Sequence, residues 1–205
     1  YVDLVSSNAA KIMGLYPRKG ALAPGSDADL CVLDPADKRG IEALERVAAL
    51  AKWEKRPSGK RDQSGDIVTG RGVAYCKYEL VRTYIAAIAD VEVKRSTGEI
   101  RVRKFYLAHD CGQIINPDGL KNQLDGNVIQ TISRTLKEAV RFDTMHVTGV
   151  DWSGYPILRF TEIPDAIDID LIDRPDEPSL GAGEAATSPI PAAIANAIFD
   201  ATGVR

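Results

Sequence analysis

The sequence predicts an α+β protein: mixed or antiparallel strands with helices packed on one side, preceded by a short helix-and-hairpin annex. Three observations predict it. Residues Thr83–Arg95 and Glu99–Asp110 flank Ser96-Thr97-Gly98, and Ile85, Ala87, Ala89, Val91 and Val93 alternate with more polar partners, the pattern of a β-hairpin. Asn116–Val140 repeats Leu120, Leu124, Val128, Ile132 and Leu136 at helical spacing. A last apolar stretch opens on Ser188-Pro189 and stops at Gly203, the usual start and stop signals of a helix.

The other elements follow in order along the chain. Tyr1–Leu15 carries Val2, Val5, Ala9, Ile12 and Met13 on one helical face, with Gly14 as its stop. Lys19–Pro35 reads as two short strands around the turn formers Pro24-Gly25-Ser26-Asp27. Ile41–Trp53 is a helix with Leu44, Val47, Ala48 and Ala51 facing inward, ended by Arg56-Pro57. Arg56–Gly72 is polar and glycine-rich without period, and reads as a loop. After the hairpin, Asn116 is the N-cap of the longest helix and Pro117 sits in its first turn. Two strand-like runs come after Pro156, the second being Ala166–Asp173 with strict Ile/Asp alternation; its aspartates read as a solvated sheet face rather than a metal site.

Bulk properties exclude several function classes. A chain of 205 residues can be one domain or two small ones. Its net charge of −3 gives no electrostatic case for nucleic acid or an anionic membrane surface. No apolar run approaches the length of a spanning helix, and the N-terminus lacks a basic-then-apolar export signal. Three cysteines, Cys31, Cys76 and Cys111, lie far apart with no C-x-x-C, so neither zinc nor an iron–sulfur cluster is written here and a cytoplasmic setting is expected. The start at Tyr1 rather than Met points to a fragment or a trimmed product. His109 and His146 lack an H-x-H or H-E-x-x-H context, and no nucleophile turn or phosphate-cradling loop occurs.

What remains is SLGAGEAATSP, Ser179–Pro189. Glu184 follows Gly181-Ala182-Gly183, a stretch with so little side-chain bulk that another strand or a ligand can approach the backbone. A carboxylate held there and partly desolvated would be a usable general base. The competing reading makes Glu184 a helix-entry residue stabilised by the helix dipole.

The stretch LGAGEAATSPIPAAIANAIFDATGVR resembles the C-terminal catalytic segment of the molybdenum hydroxylases, the xanthine dehydrogenase and aldehyde oxidase family. The likeness is to the large subunit of the isoquinoline 1-oxidoreductase and nicotinate dehydrogenase type. GRGVAY, the hairpin running on through LAHDCGQIINPDGLKNQLDGNVIQ, then LKEAVRFD, DWSGYPILRF and DRPDEPSLGAGE follow the family order, over roughly residues 36–205. The resemblance implies a molybdopterin-binding domain and a hydroxylation at carbon of an N-heterocycle or an aldehyde. It makes Glu184 the catalytic base, and Gly181, Ala182 and Gly183 the backbone facing the cofactor. Gln123 matches the family's pterin-contacting glutamine; Asn127 and Thr131 stand where the family shows glycines. The first molybdopterin-binding domain and a [2Fe-2S] subunit are the implied partners, and without that first domain the chain is expected to be inert.

Residues 1–35, with LVSSNAAKIMGLYPRKGALAPGSDADLCVLDP, resemble the C-terminal segment of dihydropyrimidinase and hydantoinase amidohydrolases, and the two resemblances meet around Leu33–Ala36. Two alternatives therefore stay open: part of a cyclic-amide amidohydrolase, or a truncated fusion without catalysis.

Overall fold

A computed structural model describes residues 36–56, 63–79 and 83–204. The chain divides into two compact units, residues 1–37 and 38–205. The helix read over Tyr1–Leu15 and the strands read over Lys19–Pro35 lie outside the described residues.

The second unit is a four-stranded sheet in the order β1-β2-β3-β4, with β1 Ile67–Tyr78, β2 Thr83–Lys94, β3 Glu99–Asp110 and β4 Ala166–Leu171. The first three strands pair antiparallel and β4 pairs parallel to β3, which makes the sheet mixed. The β2–β3 hairpin turns at Gly98, whose φ of 73° suits a residue without Cβ.

Helices cover both faces, not one. Helix α1, Lys38–Leu50, buries Ala43 and Val47 against Ala86, Ile88, Tyr106 and Ala108. On the opposite face, helices α2, Pro117–Leu136, and α3, Ile190–Thr202, close over Ile85, Ala87, Phe105 and Leu107. The reason is in β2: Ala86, Ala87, Ile88 and Ala89 are all fully buried, so the middle of this strand reads as a continuous apolar run and both its faces need cover.

The stretch read as a loop up to Gly72 is strand from Ile67 onward. Its glycines are contact points rather than turn formers. A Cβ on Gly70 would lie 2.0 Å from the Ala197 carbonyl oxygen, and one on Gly72 would lie 2.2 Å from that of Ala193. Small residues on both sides let α3 lie directly on β1. α3 ends where expected, at Gly203 in the left-handed region with φ 72°.

Helix α2 starts as its sequence says, with the Asn116 side chain accepting from Gly119 N at 2.9 Å and Pro117 at the first position. It ends at Leu136, earlier than Val140. The first strand-like run after Pro156 forms no strand; Phe160–Glu162 is a single 3-10 turn closed by Arg159 N on Glu162 Oε2 at 2.8 Å. The aspartates of β4 are ion-paired: Asp168 with Lys104 at 2.7 Å and Asp170 with Arg46 of α1 at 2.6 Å. Among the described residues no helix is long and apolar enough to cross a membrane.

Candidate functional site

The end of β1, the start of β2 and the end of β3 come together at one end of the sheet, where Tyr78 pairs with Thr83 and Tyr84 with Asp110. The segment leading to Glu184 is fastened there. Leu180 N donates to Cys111 O at 2.8 Å, and the fully buried Thr83 donates its Oγ1 hydrogen to Gly181 O at 2.6 Å. Leu180 and Ala182 pack their side chains against the main core.

From the other side, α2 holds the next peptide. Gly183 O accepts from Gln123 Nε2 at 2.6 Å and from Asn127 Nδ2 at 3.0 Å. Spacing of four residues places both amides on one face of the helix. Asn127 is buried and its Nδ2 also reaches Gln123 O at 2.5 Å, so a side chain occupies and uses the position where the resemblance led to a glycine.

Glu184 itself is exposed, not partly desolvated. Tyr78 Oη donates to its Oε1, while Oε2 has no hydrogen bond among the described residues. Glu184 is the N-cap residue of a short 3-10 turn, so the helix-entry reading holds in position. The Glu184 side chain makes no capping bond; only its carbonyl enters the following 3-10 turn, Ala185–Thr187, accepting from Thr187 N at 3.0 Å and Thr187 Oγ1 at 2.7 Å. α3 begins several residues later.

The turn separates two hollows. A groove of about 450 Å³ is lined by Gln123, Asn127, Gln130, Arg134, Gly183, Glu184 and Thr187. A hollow of about 270 Å³ is lined by residues that include Cys111, Leu120, Gln123, Leu180, Ala182 and Gly183. Neither Gly181 nor Gly183 takes a positive φ, so backbone strain does not require them. A Cβ on Gly183 would meet nothing within 4 Å. At this residue, then, no other strand among the described residues uses the bare backbone, and an added Cβ beside the carboxylate would meet none of them.

Two buried titratable groups lie behind this end of the sheet. Asp110 is fully buried and receives Arg39 Nε at 2.9 Å, Arg174 Nε at 2.6 Å and Gly112 N at 3.0 Å. Burial works to raise its pKa, but the bonds from Arg39, Gly112 and Arg174 outweigh it and hold the carboxyl below its ordinary value. His109 is fully buried, and neither ring nitrogen has a partner among the described residues. Burial lowers its pKa to about 4.

The structure thus brings Glu184, Gly183 and Gln123 to one groove, with Gly181 and Ala182 one step behind. Sequence reasoning missed Tyr78 and the amide of Asn127. The aromatic end of β1 carried no signal for Tyr78. Asn127 stood out only as a departure from glycine, and its spacing from Gln123 was the available clue.

Comparison with known proteins identifies the family. Residues 36–164 match the profile of the molybdopterin cofactor-binding domain, and residues 1–62 match that of the amidohydrolase family. One of the subunits of nicotinate dehydrogenase from Pseudomonas putida is 44% identical over 177 residues, 83% of this chain and 15% of that protein. The beta subunit of isoquinoline 1-oxidoreductase from Brevundimonas diminuta is 29% identical over 165 residues, 80% of this chain and 20% of that protein. Among solved structures, quinoline 2-oxidoreductase from Pseudomonas putida 86 aligns with a TM-score of 0.54 and 32% identity over 58% of this chain and 16% of that one. Aldehyde oxidoreductase from Desulfovibrio gigas gives 0.53 and 33% over 60% of this chain and 14% of that one. The chain spans about a fifth or less of these relatives' lengths. With more than half of its residues matched by that profile, the chain belongs to the molybdopterin cofactor-binding domain family of the molybdenum hydroxylases.

Proposed function

We propose that this chain supplies one wall of a molybdopterin site and the catalytic base of a molybdenum-dependent oxidoreductase. The reaction is hydroxylation at a carbon of an N-heterocycle or an aldehyde, as the names of the relatives suggest. The observation that carries the reading is the Glu184 carboxylate, anchored through Oε1 and without a hydrogen bond at Oε2 among the described residues, next to bare Gly183 backbone on a groove.

The donor set fits the cofactor. A pterin offers ring nitrogens and oxygens at its edge, and the groove presents the Gln130 amide and the second Nε2 hydrogen of Gln123 as donors, with Thr187 Oγ1, whose hydrogen goes to Glu184 O, as an acceptor. Gln123 would hold the cofactor from α2, with Gly181, Ala182 and Gly183 lying along it. When bound, the cofactor supplies the oxygen transfer and the two-electron acceptor that hydroxylation requires.

The chain's own residues then do three things. Glu184 accepts a proton at Oε2 while Tyr78 keeps Oε1 in place, so the base is oriented before the proton moves. Gln123 and Asn127 fix the Gly183 peptide, and with it the distance between base and groove. Thr83 ties the same turn to the sheet.

Partners follow from this reading. The first molybdopterin-binding domain closes the other side of the cofactor, and a [2Fe-2S] subunit removes electrons. Phe142, Met145, Val150 and Trp152 are exposed in one segment, which supports a large apolar contact with a companion domain. The isolated chain is inert on this account, and it works in the cytoplasm, where Cys76 and Cys111 stay reduced.

The test is Glu184→Gln in the protein co-expressed with a first molybdopterin-binding domain. Metal content should be unchanged and turnover should fall about 10²- to 10⁴-fold, the range for a general base. Wild-type turnover in the variant would refute the assignment. A second reading, a cyclic-amide amidohydrolase, has the profile match over residues 1–62 in its favour. That stretch contains no histidine, so it carries no H-x-H metal ligands. Tight, stoichiometric zinc on the purified chain would favour it.

A further inference from the structure

The groove beside Glu184 has an electrostatic direction that the base assignment does not use. Gln123, Asn127, Gln130 and Arg134 line it at intervals of four, three and four residues, one continuous face of α2. The first two amides are committed to Gly183 O. The next two groups are not. Gln130 has no side-chain hydrogen bond among the described residues, and Arg134 gives only Nη2 to Thr131 Oγ1 at 3.2 Å, within its own helix.

Arg134 also has no carboxylate partner among the described residues. Arg39, Arg56, Arg71 and Arg174 each close on an aspartate at 2.9 Å or less. At 1.5 Å per residue, Arg134 stands roughly 16 Å along the helix axis from Gln123, and the Gly183–Glu184 peptide is held at the Gln123 end. The groove therefore runs from a carboxylate at one end to a guanidinium with no ion pair among the described residues at the other.

We infer that the Arg134 end of this groove, with Gln130 beside it, binds an oxyanion: the carboxylate or phosphate of an elongated ligand whose uncharged end lies toward Glu184. Like-charge repulsion keeps the anion away from Glu184, and the planar fork of Arg134 matches a carboxylate or phosphate through two parallel hydrogen bonds. One groove thereby fixes which end of the ligand meets the base. The inference rests on the reading of this groove as the cofactor and substrate site; the anion site itself is measurable on the metal-free chain.

The experiment follows the Arg134 Nε–H and Gln130 side-chain amide signals of the isotope-labelled full chain by NMR. It is titrated separately with inorganic pyrophosphate, pyridine-3-carboxylate and uncharged pyridine. The expected result is saturable movement of both signals with at least one anion and none with pyridine. Response to pyrophosphate alone identifies a phosphate of the cofactor as the ligand group; response to the carboxylate alone identifies the substrate. Because Arg134 is exposed, Arg134→Gln should weaken binding about three- to fivefold, the scale of an exposed charged pair, and Arg134→Lys should weaken it less. Equal affinity in Arg134→Gln, an equal response to pyridine, or no movement of these two signals overturns the inference. Failure of the base assignment would look different: Glu184→Gln would keep full turnover while the anion titration stayed intact.

Discussion

Replacing Gly72 by alanine should destabilise the protein, although the same change in an open strand would stabilise it. Gly→Ala at a compatible site gains about 0.4–1 kcal/mol by restricting the unfolded chain. At Gly72 the new Cβ would lie 2.2 Å from both the Ala193 carbonyl oxygen and the Ala197 nitrogen, more than an ångström short of ordinary contact at 3.4 Å. Both obstacles are backbone atoms of α3, so no side chain can rotate aside and the helix must lift from β1. Overpacking of this kind costs about 1–3 kcal/mol, and the net expectation is a loss of about 1–2 kcal/mol. Gly126 is the control: it sits inside α2, where an added methyl group would meet nothing within 4 Å, so Gly126→Ala should gain about 0.8–1 kcal/mol from helix propensity. Urea unfolding of the full chain reads both. The Gly72→Ala midpoint should fall and the Gly126→Ala midpoint should rise. A rise for Gly72→Ala would refute the close docking of α3 on β1, and with it the position of the segment that leads from Glu184 into that helix.

Removing Asp110 by alanine leaves Arg39 and Arg174 without their shared carboxylate and should cost about 3–5 kcal/mol, read as a lower unfolding midpoint; a cost below about 1 kcal/mol would show the cluster to be dispensable. Acid sensitivity has a defined sign at His109. The folded protein keeps the ring neutral down to about pH 4, whereas the unfolded chain binds the proton from its ordinary value of 6.5. Stability is therefore fully present above pH 6.5 and is lost as pH falls from 6.5 toward 4, by up to about 3 kcal/mol from this group. His109→Leu should flatten the pH profile of unfolding in that window, and an unchanged profile would contradict it.

Local signals carried most of the fold. Asn116-Pro117 started α2, Gly203 ended α3, and alternation with a Gly98 turn made the hairpin, because each rests on neighbours in sequence. The first half of β1 was hidden because Gly70 and Gly72 look like loop residues until α3, more than a hundred residues away, supplies the reason for them. The second covered face was hidden because Ala86 and Ala108 are weak apolar signals by themselves, and only α1 explains their burial. At the candidate site, the Gly-Ala-Gly-Glu turn was visible as bare backbone with a carboxylate. Its exposure and its contacts with Tyr78 and Asn127 were not, since those bonds join residues 106 and 56 positions apart.

The central claim is that this chain forms one wall of a molybdopterin site beside Glu184. Its most direct test is molybdenum per chain, by elemental mass spectrometry, on protein from a host that makes the cofactor, with and without a co-expressed first molybdopterin-binding domain. The account predicts near-stoichiometric metal with the companion domain and little without it, and the same loading in Glu184→Ala. No molybdenum under either condition would contradict it.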